Sequence, residues 1–110
     1  MGPLTPGESQ DRMALEGARI TLLNGSTVDG LAGRTRDMLA SLGANIVEVS
    51  SSDARNQTRI IDYTGNPHTV KFLAEFFDLS PGNYEIEFDP SSPVDVVVIL
   101  GIDWSTLIDQ

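Results

Sequence analysis

Residues 18–50 read in order as an apolar run, an apolar stripe at helical spacing and a second apolar run, and the same order returns over 57–88. A strand, a helix and a second strand of one sheet connect by a right-handed crossover in nearly all known cases, which makes the two strands parallel. Two such units within 110 residues leave a layered α/β sandwich as the natural architecture.

The first unit begins with "ARITLLN", 18–24, rich in strand formers. Val28, Leu31, Ala32, Met38, Leu39 and Leu42 then recur at helical spacing. Thr27 is the expected N-cap, Asp29 falls in the first turn where the helix dipole favours an anion, and Gly43 ends the helix. "ANIVEVS", 44–50, is the second strand and a polar loop follows over 50–56. "QTRIIDYT", 57–64, opens the second unit. Asn66 as cap and Pro67 at the first helical position start a helix that buries Val70, Leu73, Ala74 and Phe77, with Phe76 beside them. "YEIEF", 84–88, alternates strictly, so Tyr84, Ile86 and Phe88 face one way and Glu85 and Glu87 face water, as at a sheet edge. "VDVVVIL", 94–100, is nearly continuous in β-branched residues and suits a central strand covered on both faces.

The expected order is β-α-β-β-α-β-β, an α/β (α+β) two-layer sandwich with two helices on a mixed sheet of about five strands. If the loops at 51–56 and 89–93 both reverse the chain, the first and last strands run the same way and Asn24 and Gly101 meet on one edge. Residues 1–17 hold prolines and glycines without a sustained apolar period and read as a linker or disordered arm, with a short helix over 9–16 as the alternative. Residues 18–110 form a single domain.

Charge narrows the partners. Seven basic residues against sixteen acidic ones give a net charge of -9, which argues against nucleic acid and against direct binding to an anionic membrane surface. There is no cysteine, which excludes disulfides, thiolate nucleophiles and cysteine metal sites. No apolar run approaches the roughly 18 residues needed to span a bilayer, and the N-terminus lacks a signal-peptide layout, so export would depend on a segment outside this sequence.

"LNGSTVDGLAG", 23–33, has the strand, turn and helix order of a phosphate loop but not its chemistry. Gly25 and Gly30 have a four-residue gap, yet Leu31 and Ala32 stand where a P-loop needs lysine and a hydroxyl. The loop reads as a tight corner, with Gly30 and Gly33 allowing close helix–sheet packing and the helix start near Ser26 to Val28 left as a weak anion site. His68 is the one histidine and has no serine–acid partners, so zinc and triad chemistry are not expected, nor any other cofactor. Asp62, Asp78, Glu85, Glu87, Asp89, Asp95 and Asp103 are scattered; a carboxylate pair would be needed for a small hydrolase. Trp104 reads as a lid over the sheet end, with an exposed platform for a sugar or peptide as the alternative.

Leu23-Asn24-Gly25, Gly30-Leu31-Ala32, Tyr63-Thr64-Gly65 and Leu100-Gly101-Ile102-Asp103 occur in an order that resembles the LytR C-terminal domain family, over about residues 19–104. The resemblance implies an extracytoplasmic accessory domain of bacterial cell-envelope proteins, commonly attached to a membrane-anchored LytR-CpsA-Psr catalytic domain. It implies no catalytic residues here, and any membrane anchor would lie outside these residues. The expected function is a non-catalytic module that binds peptidoglycan, an attached glycopolymer or another envelope protein. The expected contact edge is Asn24, Gly25, Ser26 and Thr27 with Asp103 and Trp104. The alternative is an interaction or oligomerisation domain that pairs through the edge of "YEIEF".

Overall fold

The β-branched run forms β5 (Val96–Leu100), the middle strand of a five-stranded sheet. The computed structural model describes residues 6–108. On one side β5 pairs in parallel with β1 (Arg19–Asn24), which pairs in parallel with β2 (Asn45–Ser51). On the other side it pairs antiparallel with β3 (Arg59–Asp62), which pairs in parallel with the edge strand β4 (Tyr84–Ile86). The sheet is mixed, as expected. Helix α2 (Leu31–Ser41) connects β1 to β2 and α3 (Pro67–Phe76) connects β3 to β4. The second unit is reversed in both direction and side, so two right-handed crossovers put both helices on one face.

That face holds the core. Ile20 and Leu22 of β1, Ile60 of β3 and Val96, Val98 and Leu100 of β5 are fully buried against Leu31, Leu39 and Leu73 from the helices. Each such side chain contributes about 1.5–3 kcal/mol when removed from water. The alternate residues Val97 and Ile99 are only half-buried. This corrects the expectation that β5 is covered on both faces: the helices share one face, and the other is shielded by neighbouring side chains alone. Val47, out of phase with Ile46 and Val49, sits at a bulge where the β1–β2 register shifts, and is exposed. The bulge returns Ile46 and Val49 to the core face.

In the N-terminal segment the alternative of a short helix over 9–16 describes the structure better than the linker over 1–17: Pro6–Glu16 is a helix, α1, packed on α3; residues 1–5 lie outside the described residues. Its Met13 is buried in the core. Glu16 accepts the backbone N–H groups of His68 (3.1 Å) and Thr69 (2.6 Å) and the Thr69 hydroxyl (2.6 Å). This carboxylate therefore caps α3 from outside, where the orphan amides and helix dipole favour an anion. The expected cap, Asn66, turns its amide to Asp62 and Thr64 instead. An unexpected helix, α4 (Ile102–Ile108), follows β5, so the described residues hold four α-helices where the sandwich reading had two.

Asp95 ties the lower ends of three strands. Its carboxylate accepts the Arg19 N–H (2.8 Å) and the Thr64 hydroxyl (2.9 Å) and pairs with the Arg19 guanidinium. Its carbonyl accepts from Tyr63 and its N–H donates to Arg19. The Arg19 backbone N–H, against an opposing effect of burial and helped by Thr64 and the Arg19 side chain, holds the carboxyl below the ordinary aspartate value of 3.8.

Both carboxylates can be tested by unfolding. Glu16→Ala loses about 1–2 kcal/mol in urea unfolding, and Glu16→Gln, which keeps an acceptor, loses less. Because the folded pKa of Asp95 is depressed, its contribution is complete above the ordinary value and is lost as pH falls through the folded one. The stability gap between the native protein and Asp95→Asn is therefore flat near neutrality and closes below about pH 4.

Candidate functional site

The structure brings the residues of the expected contact edge together. Asn24 pairs with Leu100 across β1 and β5, and the Gly25 N–H donates to the Leu100 carbonyl at 2.8 Å. Asn24 Oδ1 accepts the N–H (3.1 Å) and hydroxyl (2.7 Å) of Ser26, and its amide donates to the Val28 carbonyl (3.0 Å). The Val28 N–H in turn donates to Ser26 Oγ at 3.1 Å. The helix starts later than expected, at Leu31, with Gly30 as N-cap at φ 78°. Thr27 is therefore an exposed turn residue and not a cap. The amides of Ser26 and Val28 already have partners within the loop.

Asp103 and Trp104 are engaged in the same way. The Asp103 carboxylate accepts the Thr58 N–H (3.0 Å), the Thr58 hydroxyl (2.8 Å) and the Trp104 N–H (2.7 Å). Thr58 Oγ1 accepts the Gly101 N–H at 3.0 Å, so the hydroxyl relays between the end of β5 and α4. Trp104 is 6% exposed. Its indole donates to Thr35 of α2 at 2.9 Å, and its ring lies 4.9 Å from Phe77 and 5.3 Å from Phe76. The tryptophan thus closes the top of the helix layer, as the lid reading expects.

Loop 52–58 crosses this edge as a strap. Ser52 donates to the Asn24 carbonyl (3.1 Å) and Arg55 to the Gly25 carbonyl (2.7 Å), while Ile102 and Asp103 donate to the carbonyls of Arg55 and Asn56 (2.9 and 3.0 Å). A Cβ on Gly101 would stand 2.5 Å from the Gln57 carbonyl carbon and 2.7 Å from the Thr58 nitrogen. One on Gly25 would stand 2.8 Å from the Leu100 oxygen. These glycines exist for backbone to pass backbone. Gly33, expected to serve helix–sheet packing, has no such role: a Cβ there would meet nothing within 4 Å.

The second candidate is on the opposite flank of the sheet. Between α3 and β4 lies a groove of about 810 Å³, floored by Pro67, Val70, Ala74, Leu79, Tyr84 and Ile86. Glu75 and Asp78 stand on its rim with Lys71. Ile86 is 70% exposed and Phe88 72%. This reverses the expectation for "YEIEF", in which these two were the covered side. Helix α3 does not extend over the edge strand, so the apolar residues on its face lack a cover. Glu85, on the other face, is half-buried and ion-paired with Arg59. The regular alternation of the sequence signals an edge strand but not which of its faces is covered.

Asp62 is 1% exposed and accepts from the backbone N–H groups of Gly65 (3.0 Å) and Asn66 (2.6 Å). It braces the turn into α3. Among the described residues no group of three or more His, Asp or Glu side chains is placed to hold a metal ion.

The fold and these two edges define a small α+β sandwich with a laced loop edge and an open groove. Over residues 17–104 the chain matches the family described as LytR cell envelope-related transcriptional attenuator, and it belongs to that family. Its fold is similar to that of the soluble domain of a conserved hypothetical secreted protein from Mycobacterium marinum, with a TM-score of 0.55 and 21% identity. That likeness covers 91% of this chain and 70% of the other. A search of curated proteins returned no match.

The close approach at the laced edge yields a contrast between two glycines. Gly101→Ala destabilises the protein by at least about 2 kcal/mol, because backbone must move to admit the methyl group. Gly33→Ala, in an open helix position, stabilises it by about 0.5–1 kcal/mol. Chemical denaturation of the two variants reads both.

Proposed function

We propose that this chain is a non-catalytic accessory domain of a cell-envelope protein, working outside the cytoplasm and binding a partner protein through the groove between α3 and β4. The observation that carries the reading is the uncovered apolar floor beside an edge strand, with Ile86 and Phe88 in water. Isolated exposed apolar residues are ordinary, but a contiguous apolar groove flanked by charged groups is the form of a protein-binding surface. Family membership supplies the envelope setting.

The laced edge suits a sugar polymer less well. A wall polymer needs an exposed aromatic face and polar groups with spare hydrogen-bonding capacity. Trp104 offers no face, and Asn24, Ser26 and Asp103 spend their polar atoms on neighbouring loops. The family description mentions transcription, yet a net charge of -9 disfavours direct contact with nucleic acid. Among the described residues no helix is long and apolar enough to cross a membrane, so membrane anchoring would come from another segment of the parent protein.

Photocrosslinking in cells producing the full protein tests the reading. A photoreactive side chain at position 86 gives discrete protein adducts, and one at position 27 gives none. Glycan adducts from position 27 with none from position 86 would overturn it and return the binding site to the laced edge.

A further inference from the structure

We infer that the occupant of the groove is an extended segment of alternating apolar and basic residues that joins the sheet as a sixth strand alongside β4. This rests on reading the groove as the protein-binding surface. The backbone comes first. The N–H groups of Glu87 and Asp89 donate to the carbonyls of Asp62 and Tyr63, at 2.9 and 2.8 Å, so these residues turn their polar edge inward to the β3 side. Successive residues of an extended chain present opposite edges, so Ile86 presents its N–H and carbonyl outward. The ladder with β3 ends at Ile86, and these two hydrogen bonds keep the chain beside the segment that follows β3 as far as Asp89. Such an edge is a template for an added strand.

Alternation follows from geometry. A strand placed about 4.8 Å beyond β4 would send every second side chain toward the groove floor and the others to the opposite face. The inward set meets Val70, Ala74, Leu79 and Ile86, which favours apolar residues. The outward set lies beside Glu85 and Glu87, and Glu75 and Asp78 stand on the rim. Arg59 neutralises Glu85, but no ion pair joins Glu75, Asp78 or Glu87 among the described residues. Among the described residues Lys71 is the rim's one cation against these carboxylates. Basic side chains are therefore the complement. A second copy of this chain is the poorer occupant. Edge-to-edge pairing of two β4 strands sets glutamates beside glutamates in molecules that each carry -9.

The test uses the isolated domain, since residues 6–108 carry a complete core, and three synthetic octapeptides. One is a Lys-Val repeat, one a Glu-Val repeat, and the third is the Lys-Val repeat with alternate amides N-methylated, made in both registers. Titration is followed by amide NMR shifts. The Lys-Val peptide shifts Ile86 and the α3 side of the groove, and binds at least about tenfold more tightly than the Glu-Val peptide. One methylated register loses at least about tenfold while the other binds as before, because only one set of amides faces β4. Glu75→Lys with Glu87→Lys, both at exposed positions, weakens the Lys-Val peptide by a similar factor. Equal affinity for both charge types, no binding of either, or indifference to methylation in both registers would overturn the inference. So would a dimer by light scattering that Ile86→Lys dissolves. If position 86 still crosslinks to protein while the Lys-Val peptide fails, the basic-strand inference falls alone. If position 86 crosslinks to nothing, the reading of the groove falls with it.

Discussion

Backbone passes backbone at the top of this sheet with no room for a side chain between. Gly101 lies under the Gln57–Thr58 peptide and Gly25 under the strap at Asp53 and Arg55. The five-stranded order depends on this crossing, because loop 52–58 carries the chain from the outer strand β2 over β1 and β5 to β3. The strap must hug the strand ends to leave β3 in register with β5, and its amides and carbonyls must find partners as it goes. Asn24, Thr58 and Asp103 supply those partners from side chains. The residues that look most like a ligand site in the sequence are thus the ones that join two β-α-β units into one sheet.

The two flanks of the molecule are consequently unlike. At the laced edge the polar groups are engaged and the one tryptophan is packed between α2 and α3. At β4 the sheet ends without a cover, with apolar side chains in water beside a half-empty helix face. A domain that had only to fold would gain by covering Ile86 and Phe88, each worth about 1.5–3 kcal/mol on full burial. Folding does not explain their exposure, and the proposed partner would supply the missing cover.

The order of the main elements along the chain and the parallel pairing within each unit were legible because hydrophobic period separates helix from strand and because crossovers are right-handed; the order of the strands across the sheet was not. Elements with little apolar repetition were not. Helix α1 was read only as a short alternative over 9–16, because it contributes mainly Met13 to the core and acts largely through the Glu16 carboxylate, a long-range contact that no local pattern records. Helix α4 has seven residues, too few to establish a period. Asn66 does stand at the N-cap position ahead of Pro67, but its side chain bonds to Asp62 and Thr64 rather than to the helix, and Gly30 in a left-handed conformation took the place of Thr27. The groove was half legible: "YEIEF" announced an edge, while the exposure of Ile86 depends on where α3 ends in space.

Site-resolved amide hydrogen exchange distinguishes a laced edge from an open one in a single experiment. If the loop edge is a brace and β4 an unoccupied template, the amides of Arg55, Gly101 and Asp103 exchange only through global unfolding, while that of Ile86 exchanges at nearly the rate of a free chain. Fast exchange at Arg55, Gly101 and Asp103 with protection at Ile86 would contradict the account, placing the mobile, binding-ready surface at the loops and the closed one at the strand.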